Sequence, residues 1–316
     1  MSDGHVPVLL YEMLQSLNVQ DQGCYLDATF GGGGYSEAIL KHADCQVFAI
    51  DRDPQAVARG RLLEQQYPTR FKIFEGCFSD LPHLAAAHFW NKFDGIVFDF
   101  GVSSFQIDQP ERGFSFRFDG PLDMRMSANG ISAAEVVNTF EVEDLANLIY
   151  RYGEERKSRR IAAAIVRRRA EKPFEFTADL AGFIEKLLGR KFGAQHPATL
   201  TFQALRIFVN NELIEIEEGL NFSQNFLKSD GCLVTVTFHS LEDRIVKTFV
   251  RARSSRTKVA SRLLPGEIQT KQPLFLDLFP KGISPTALEI QQNPRSRSAR
   301  LRVARRLYIS NDEVLI

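Results

Sequence analysis

The chain has 316 residues, 44% of them hydrophobic and 25% charged, with a formal net charge of zero. That composition describes an ordinary globular protein able to build a large core in one or two domains, and a zero balance taken alone argues against a nucleic-acid partner. The four cysteines (Cys24, Cys45, Cys77, Cys232) form no CxxC pair, so buried free thiols in a reducing cytoplasm fit better than disulfides or zinc, and no metal is expected. With Asp3 and Glu12 the N-terminus lacks an apolar signal core, and no segment is long enough to span a bilayer, so a cytoplasmic location is expected.

In chain order, short apolar runs predict strands at Cys24–Ala28, Gln46–Ile50, Phe71–Glu75 and Gly95–Phe100. Helical stretches at Tyr35–His42, Pro54–Gln66 and Phe78–Phe89 separate them. This alternation implies a parallel sheet with right-handed crossovers. From about Ser103 to Pro197 the pattern changes to helices only, at Ser132–Asn138, Val142–Ile149, Glu154–Ala170 and Thr177–Leu188. A helical block between strands reads as an inserted domain. The expected division is therefore 1–103 and 198–316 for the sheet domain, with 104–197 as the insert. After Pro197 one long amphipathic helix is expected through Leu205, Phe208, Leu213, Ile216 and Leu220, then a buried strand at Gly231–Phe238. Arg300–Arg305 alternates with period two, as an edge or antiparallel strand would.

The chemistry concentrates at strand ends. The first strand runs through Asp27 into Gly31-Gly32-Gly33-Gly34, and Tyr35 opens a helix. A strand ending in a glycine turn before a helix offers bare backbone N–H groups and a positive helix terminus to a ligand. Asp51 ends the second strand where such folds hold ribose hydroxyls. The closest dinucleotide fingerprint, Gly31-x-Gly33-x-x-Ser36, lacks its third glycine, and Asp27 would repel a pyrophosphate. Both features favour S-adenosylmethionine, whose sulfonium is cationic and whose amino group needs an acceptor. Phe78, beyond the third strand, is placed to pack on an adenine, and Asp99 ends the fourth strand at the switch point of the sheet.

The ordered set Asp27-Ala-Thr-Phe-Gly-Gly-Gly-Gly-Tyr-Ser, Ala49-Ile-Asp-Arg-Asp-Pro, Phe98-Asp-Phe-Gly-Val-Ser-Ser, Glu111-Arg-Gly-Phe-Ser-Phe, Pro121-Leu-Asp-Met-Arg-Met, Tyr152-Gly-Glu-Glu-Arg, His196-Pro-Ala-Thr-Leu-Thr, Phe238-His-Ser-Leu-Glu-Asp-Arg and Asn293-Pro-Arg-Ser-Arg-Ser resembles the bacterial small-subunit rRNA cytosine-N4 methyltransferases, the RsmH or MraW family, from about His5 to Leu307. The resemblance implies a class I S-adenosylmethionine-dependent methyltransferase: an α/β, Rossmann-like, mostly parallel sheet carrying an inserted all-helical domain that recognises the substrate. It implies methylation of the exocyclic N4 of a cytidine in the decoding centre of 16S rRNA. Cofactor contacts carry over onto Gly33, Gly34, Tyr35, Asp51, Phe78, Asp99 and Gln106. Tyr35 stands where histidine is common and Phe100 where leucine is. The turn Asp99-Phe100-Gly101-Val102 lacks the two prolines of DNA amino-methyltransferases, so acceptors for the amine N–H bonds are expected from this turn, at Asp99 or carbonyls near Gly101, with His239 a further candidate to line the pocket, and the proton acceptor itself is not legible. Phe105, Phe114 and Phe116 are candidates to stack an unstacked base.

Within the zero balance the cations cluster: Arg156, Lys157, Arg159, Arg160 and Arg167–Arg169; Arg251, Arg253, Arg256, Lys258 and Arg262; Arg295, Arg297, Arg300, Arg302, Arg305 and Arg306. Three such runs imply a basic face suited to a phosphate-rich partner, which the resemblance implies is the 16S rRNA of the small ribosomal subunit, with Arg156, Arg160, Arg167, Arg295 and Arg297 as the leading contacts. The alternative readings are a nicotinamide-dependent oxidoreductase and a non-catalytic ribosome-assembly factor. Oligomeric state is not legible at this level.

Overall fold

The computed structural model describes residues 7–127, 129–190, 193, 195–254, 257–258 and 270–308. The chain forms two compact units, Met1–Gly101 with Ile214–Ile316, and Val102–Leu213. No described helix is long and apolar enough to cross a membrane.

The first unit begins with α1 (Leu10–Leu17), β1 (Cys24–Asp27), α2 (Gly34–His42), β2 (Gln46–Asp51), α3 (Pro54–Gln66) and β3 (Phe71–Glu75). A 3-10 turn (Phe78–Asp80), α4 (Leu81–Ala87) and β4 (Phe93–Asp99) follow. The second unit holds α5 (Ser104–Asp108), α6 (Ala133–Thr139), α7 (Val142–Gly153), α8 (Ser158–Arg169), α9 (Thr177–Leu188) and α10 (Thr199–Val209). The first unit resumes within α11 (Glu212–Phe226) and continues through β5 (Leu227–Thr237), α12 (Ser240–Ser254), β6 (Thr257–Lys258), β7 (Thr270–Lys271), β8 (Phe275–Asp277), α13 (Ala287–Gln292) and β9 (Arg300–Arg306).

Seven strands pair in the order β3-β2-β1-β4-β5-β9-β8. The first five are parallel, and β9 runs antiparallel between β5 and β8. This is the class I methyltransferase arrangement. Strand direction of travel reverses between β1 and β4, which makes their carboxyl ends the place where a ligand crevice opens. The core includes Tyr25, Ile39, Val47, Ala49, Phe71, Ile73, Val97 and Val234, all within a few per cent of full burial. Because β1, β2 and β4 are covered on both faces, they read as apolar runs rather than as alternation.

The second unit packs its own core from Val136, Leu145, Ile149, Ile161, Ile165, Leu180 and Ile184. It extends to Leu213, so α10 belongs with the helices, where the sequence pattern had suggested a return to the sheet domain. The single long helix expected after Pro197 is two. The chain breaks at Asn210, whose side chain accepts from Met126 N–H (2.8 Å) and donates to the Met124 carbonyl (2.8 Å), and Asn211 turns left-handed at φ 51°. Arg206 and Glu212 bridge the break through paired 2.8 Å contacts. Likewise Glu154, at φ 53°, ends α7, so α8 starts only at Ser158 rather than at Glu154.

Candidate active site at the strand ends

Three carboxylates line the carboxyl ends of adjacent strands: Asp27 on β1, Asp51 on β2 and Asp99 on β4. Asp27 is fully buried, accepting from Thr29 N–H (3.1 Å) and Ser36 Oγ (2.7 Å). Burial pushes its carboxyl up to about 6 against those bonds, and the Asp51 charge adds to the rise. Each oxygen thus accepts one bond from the protein, which fixes the buried acid beneath the glycine turn.

Asp51 accepts from Gly31 N–H (2.7 Å) through one oxygen and from Asp53 N–H (2.8 Å) through the other. Each oxygen keeps a second lone-pair direction. Burial raises its pKa above the ordinary carboxylate value.

Asp99 is the outlier. Its backbone N–H donates to Thr29 Oγ1 (2.6 Å), tying the end of β4 to the glycine turn. Its Oδ1 is sealed from solvent and accepts no hydrogen bond among the described residues. Desolvation pushes its pKa well above the carboxylate range, and the charges of Asp27 and Glu242 push it further. A sealed carboxyl oxygen without a donor is costly, and such atoms mark places where a ligand group completes the pairing.

The glycine turn differs in detail from its sequence reading. Gly33 sits at φ 81° and caps α2. A Cβ there would lie 2.6 Å from the Phe30 ring, and one on Gly34 would lie 2.2 Å from Pro7. These two glycines are thus required by the packing of the turn on the protein itself. The Tyr35 ring is buried and its hydroxyl donates to the Val8 carbonyl, which leaves only its backbone N–H at the start of α2 for a ligand.

Phe78 is half-buried, its ring edge-on to Phe98 (5.1 Å) and Phe100 (5.9 Å). Its turn is held by Glu215, which accepts from Ser79 N–H (3.0 Å) and Ser79 Oγ (2.9 Å). Gly219 allows α11 to lie against Phe98 and Phe78. Neither Glu215 nor Gly219 carries a sequence signal, because their partners lie far away along the chain.

His239 follows β5. Its Nδ1 accepts from Glu242 N–H (3.4 Å) and its Nε2 lies 3.0 Å from Glu242 Oε1. The other Glu242 oxygen accepts from the N–H groups of Phe238 (2.6 Å) and His239 (3.2 Å). With both ring nitrogens turned to Glu242, His239 serves as the cap of α12. Glu242, fully buried at the third position of that helix, was not singled out in the sequence.

In the second unit Gln106 is buried and forms a capping box with Ser103: its Oε1 accepts from Ser103 N–H (3.0 Å), and Ser103 Oγ accepts from Gln106 N–H (3.3 Å). Of the aromatic candidates there, Phe116 is wedged between His196 (4.6 Å) and Phe202 (4.7 Å), and Phe114 lies 5.7 Å from the Arg112 guanidinium. Phe105 remains exposed.

The arginines sort by what they touch. Arg156, Arg160 and Arg167 are exposed, Arg160 also donating to the Leu187 carbonyl (2.9 Å), although Arg156 precedes α8 instead of sharing a helix face with the other two. Arg168 is spent on Asp179 (2.6 Å) and the Phe174 ring (4.1 Å), and Arg169 on the Val137 carbonyl. In the first unit Arg295 and Arg297 are exposed on a 3-10 turn. Arg302 and Arg306 are buried: Arg302 pairs with both oxygens of Asp243 (2.7 and 3.0 Å), and Arg306 donates to the Gln224 carbonyl. Arg253 lies over the Phe249 ring at 3.8 Å. The expected basic runs are therefore partly structural. Arg256, Arg262 and the side chain of Lys258 lie outside the described residues.

A family model described as the MraW methylase family matches residues 2–307. The chain is 51% identical over 306 residues to the ribosomal RNA small subunit methyltransferase H of Rhodospirillum rubrum, covering 96% of this chain and 94% of that protein. It is 53% identical over 304 residues to the protein of the same name from Paramagnetospirillum magneticum, covering 96% and 95%.

Proposed function

Since this chain belongs to the MraW methylase family, we propose that it transfers a methyl group from S-adenosylmethionine to the exocyclic N4 of a cytidine in the decoding centre of 16S rRNA. The observation that carries this reading is the sealed, donor-less Oδ1 of Asp99 at the switch point of a methyltransferase sheet. The strand-end residues fit the donor. The remaining lone pairs of Asp51 suit ribose hydroxyls, Phe78 offers a ring face beside the third strand, and the first turn of α2 offers N–H groups to a carboxylate. Bound there, S-adenosylmethionine supplies an electrophilic methyl on a cationic sulfonium.

The cytosine amine is a weak nucleophile because its lone pair is delocalised into the ring. Asp99 meets that need: a carboxylate accepting an N–H of the amine lets the nitrogen pyramidalise and then keeps the released proton. A raised pKa makes it a better acceptor than an ordinary aspartate. His239, whose Nδ1 caps α12, is not assigned this role. The helical unit is assigned to substrate recognition, with Arg156, Arg160 and Arg167, and with Arg295 and Arg297 of the sheet unit, meeting RNA phosphates.

The test is incubation with labelled S-adenosylmethionine and small subunits from a strain lacking this protein, followed by nuclease digestion and mass spectrometry. Label on N4 of a single 16S cytidine is expected. Label on a ring carbon, or none, would overturn the reading.

A further inference from the structure

We propose that Arg59 is a positioning residue that clamps the glycine turn so that the Gly32 N–H is presented to the cofactor. The inference rests on the S-adenosylmethionine reading of this site and names a residue that reading does not use. Gly31 is held at both ends of its backbone. Its N–H donates to Asp51 Oδ2 (2.7 Å), and its carbonyl accepts from Nε (3.3 Å) and Nη2 (3.2 Å) of Arg59, reaching from α3. Gly31 itself is left-handed, at φ 52°, a conformation open to glycine without steric cost, so the direction of its peptide is set by the groups that hold it.

The consequence follows from the peptide bond. In a trans peptide the carbonyl of one residue and the N–H of the next point in opposite directions. A guanidinium fork that draws the Gly31 carbonyl toward α3 thereby turns the Gly32 N–H the other way. That N–H makes no hydrogen bond among the described residues. A planar, two-donor fork fixes the plane of the peptide as a single ammonium cannot, so lysine is a poor substitute at this position.

Arg59 also acts on Asp51 through its charge. The groups around Asp51 are Asp27 below the turn, Asp53 in its own loop, Cys77 beyond β3, and the cations Arg52 and Arg59. Arg59 lowers the Asp51 pKa that burial raises. Its removal moves Asp51 protonation to higher pH.

The experiment compares the full chain with its Arg59→Ala and Arg59→Lys variants. Amide hydrogen exchange without cofactor reads the clamp alone. Exchange of the Phe30–Gly34 segment is expected to accelerate at least about tenfold in Arg59→Ala and less in Arg59→Lys, a tenfold change being one lost charge-assisted bond. Titration with S-adenosylmethionine reads the consequence: roughly tenfold weaker binding for Arg59→Ala, with KM raised far more than kcat is lowered. The acid limb of affinity should move to higher pH in Arg59→Ala and return in Arg59→Lys. Unchanged exchange in Arg59→Ala overturns the clamp whatever the ligand. Faster exchange with unchanged affinity overturns the presentation of Gly32. Absence of binding by the unaltered protein overturns the cofactor reading instead, and the exchange result still decides the clamp.

Discussion

Asp99 and Asp27 are both buried acids, yet they should answer mutation in opposite ways. Asp99→Asn keeps the shape and removes the proton acceptor, so kcat should fall about 100-fold. The unaltered enzyme should gain rate as pH rises through the elevated Asp99 pKa, and the variant should lose that limb; a pH–rate profile on small subunits checks both. Asp27 bears on stability. Folded, it holds its proton to about 6, against 3.8 for the ordinary group. The folded state therefore binds more protons between those values, so its contribution is full below about pH 4 and is lost as pH rises through 6. Asp27→Asn, able to keep both local bonds, should be more stable above pH 7 by up to ~3 kcal/mol. Urea midpoints at pH 5 and 8 measure this, with the larger difference expected at pH 8. The same variant removes the fixed charge under the glycine turn and should bind S-adenosylmethionine less well, a stability gained against function. The acids were legible in the sequence because each ends an apolar run. Arg59 and Glu242 were not, since an arginine on one helix and a glutamate near the start of another are ordinary until their partners are known.

At the scale of elements, strand ends and caps were read better than helix breaks. β3, α3 and α9 have the bounds that their patterns predict. The α10–α11 break was hidden because apolar spacing continues across Asn210, whose reason to leave the helix is a loop more than eighty residues earlier in the chain. β9 misled in another way. Its alternation is real, but the helix α12 covers the face that would otherwise be solvated, and Asp243 draws Arg302 inward. Counting arginines thus overstated the basic surface, while α8 and its approach still present Arg156, Arg160 and Arg167 to solvent. Reversing the charge at Arg156 and Arg160 should weaken binding to small subunits and reduce the slope of log affinity against log salt by roughly 2. Cofactor affinity should not change. Filter binding across a salt series decides it, and an unaltered slope would remove these residues from the RNA contact.

Across the whole molecule, the helical unit is one uninterrupted stretch with its own apolar core, whereas the sheet unit is assembled from chain on both sides of it. A fragment of residues 102–213 should therefore fold alone, with helical circular dichroism and a cooperative melt. A gradual, non-cooperative loss of signal would show that its core depends on the rest of the chain. The placement of β9 has a consequence for how the protein is made. This strand is synthesised after all the other strands of the sheet, yet it sits inside, between β5 and β8, and carries Leu301 and Val303 into the core. During vectorial synthesis the helical unit can finish folding while β5 still waits with an open edge, ready to pair with a neighbouring nascent chain. Birth of the active sheet is thus a late and concentration-sensitive event, and chaperone dependence or inclusion bodies on overexpression should trace to that unclosed edge and not to the helical unit.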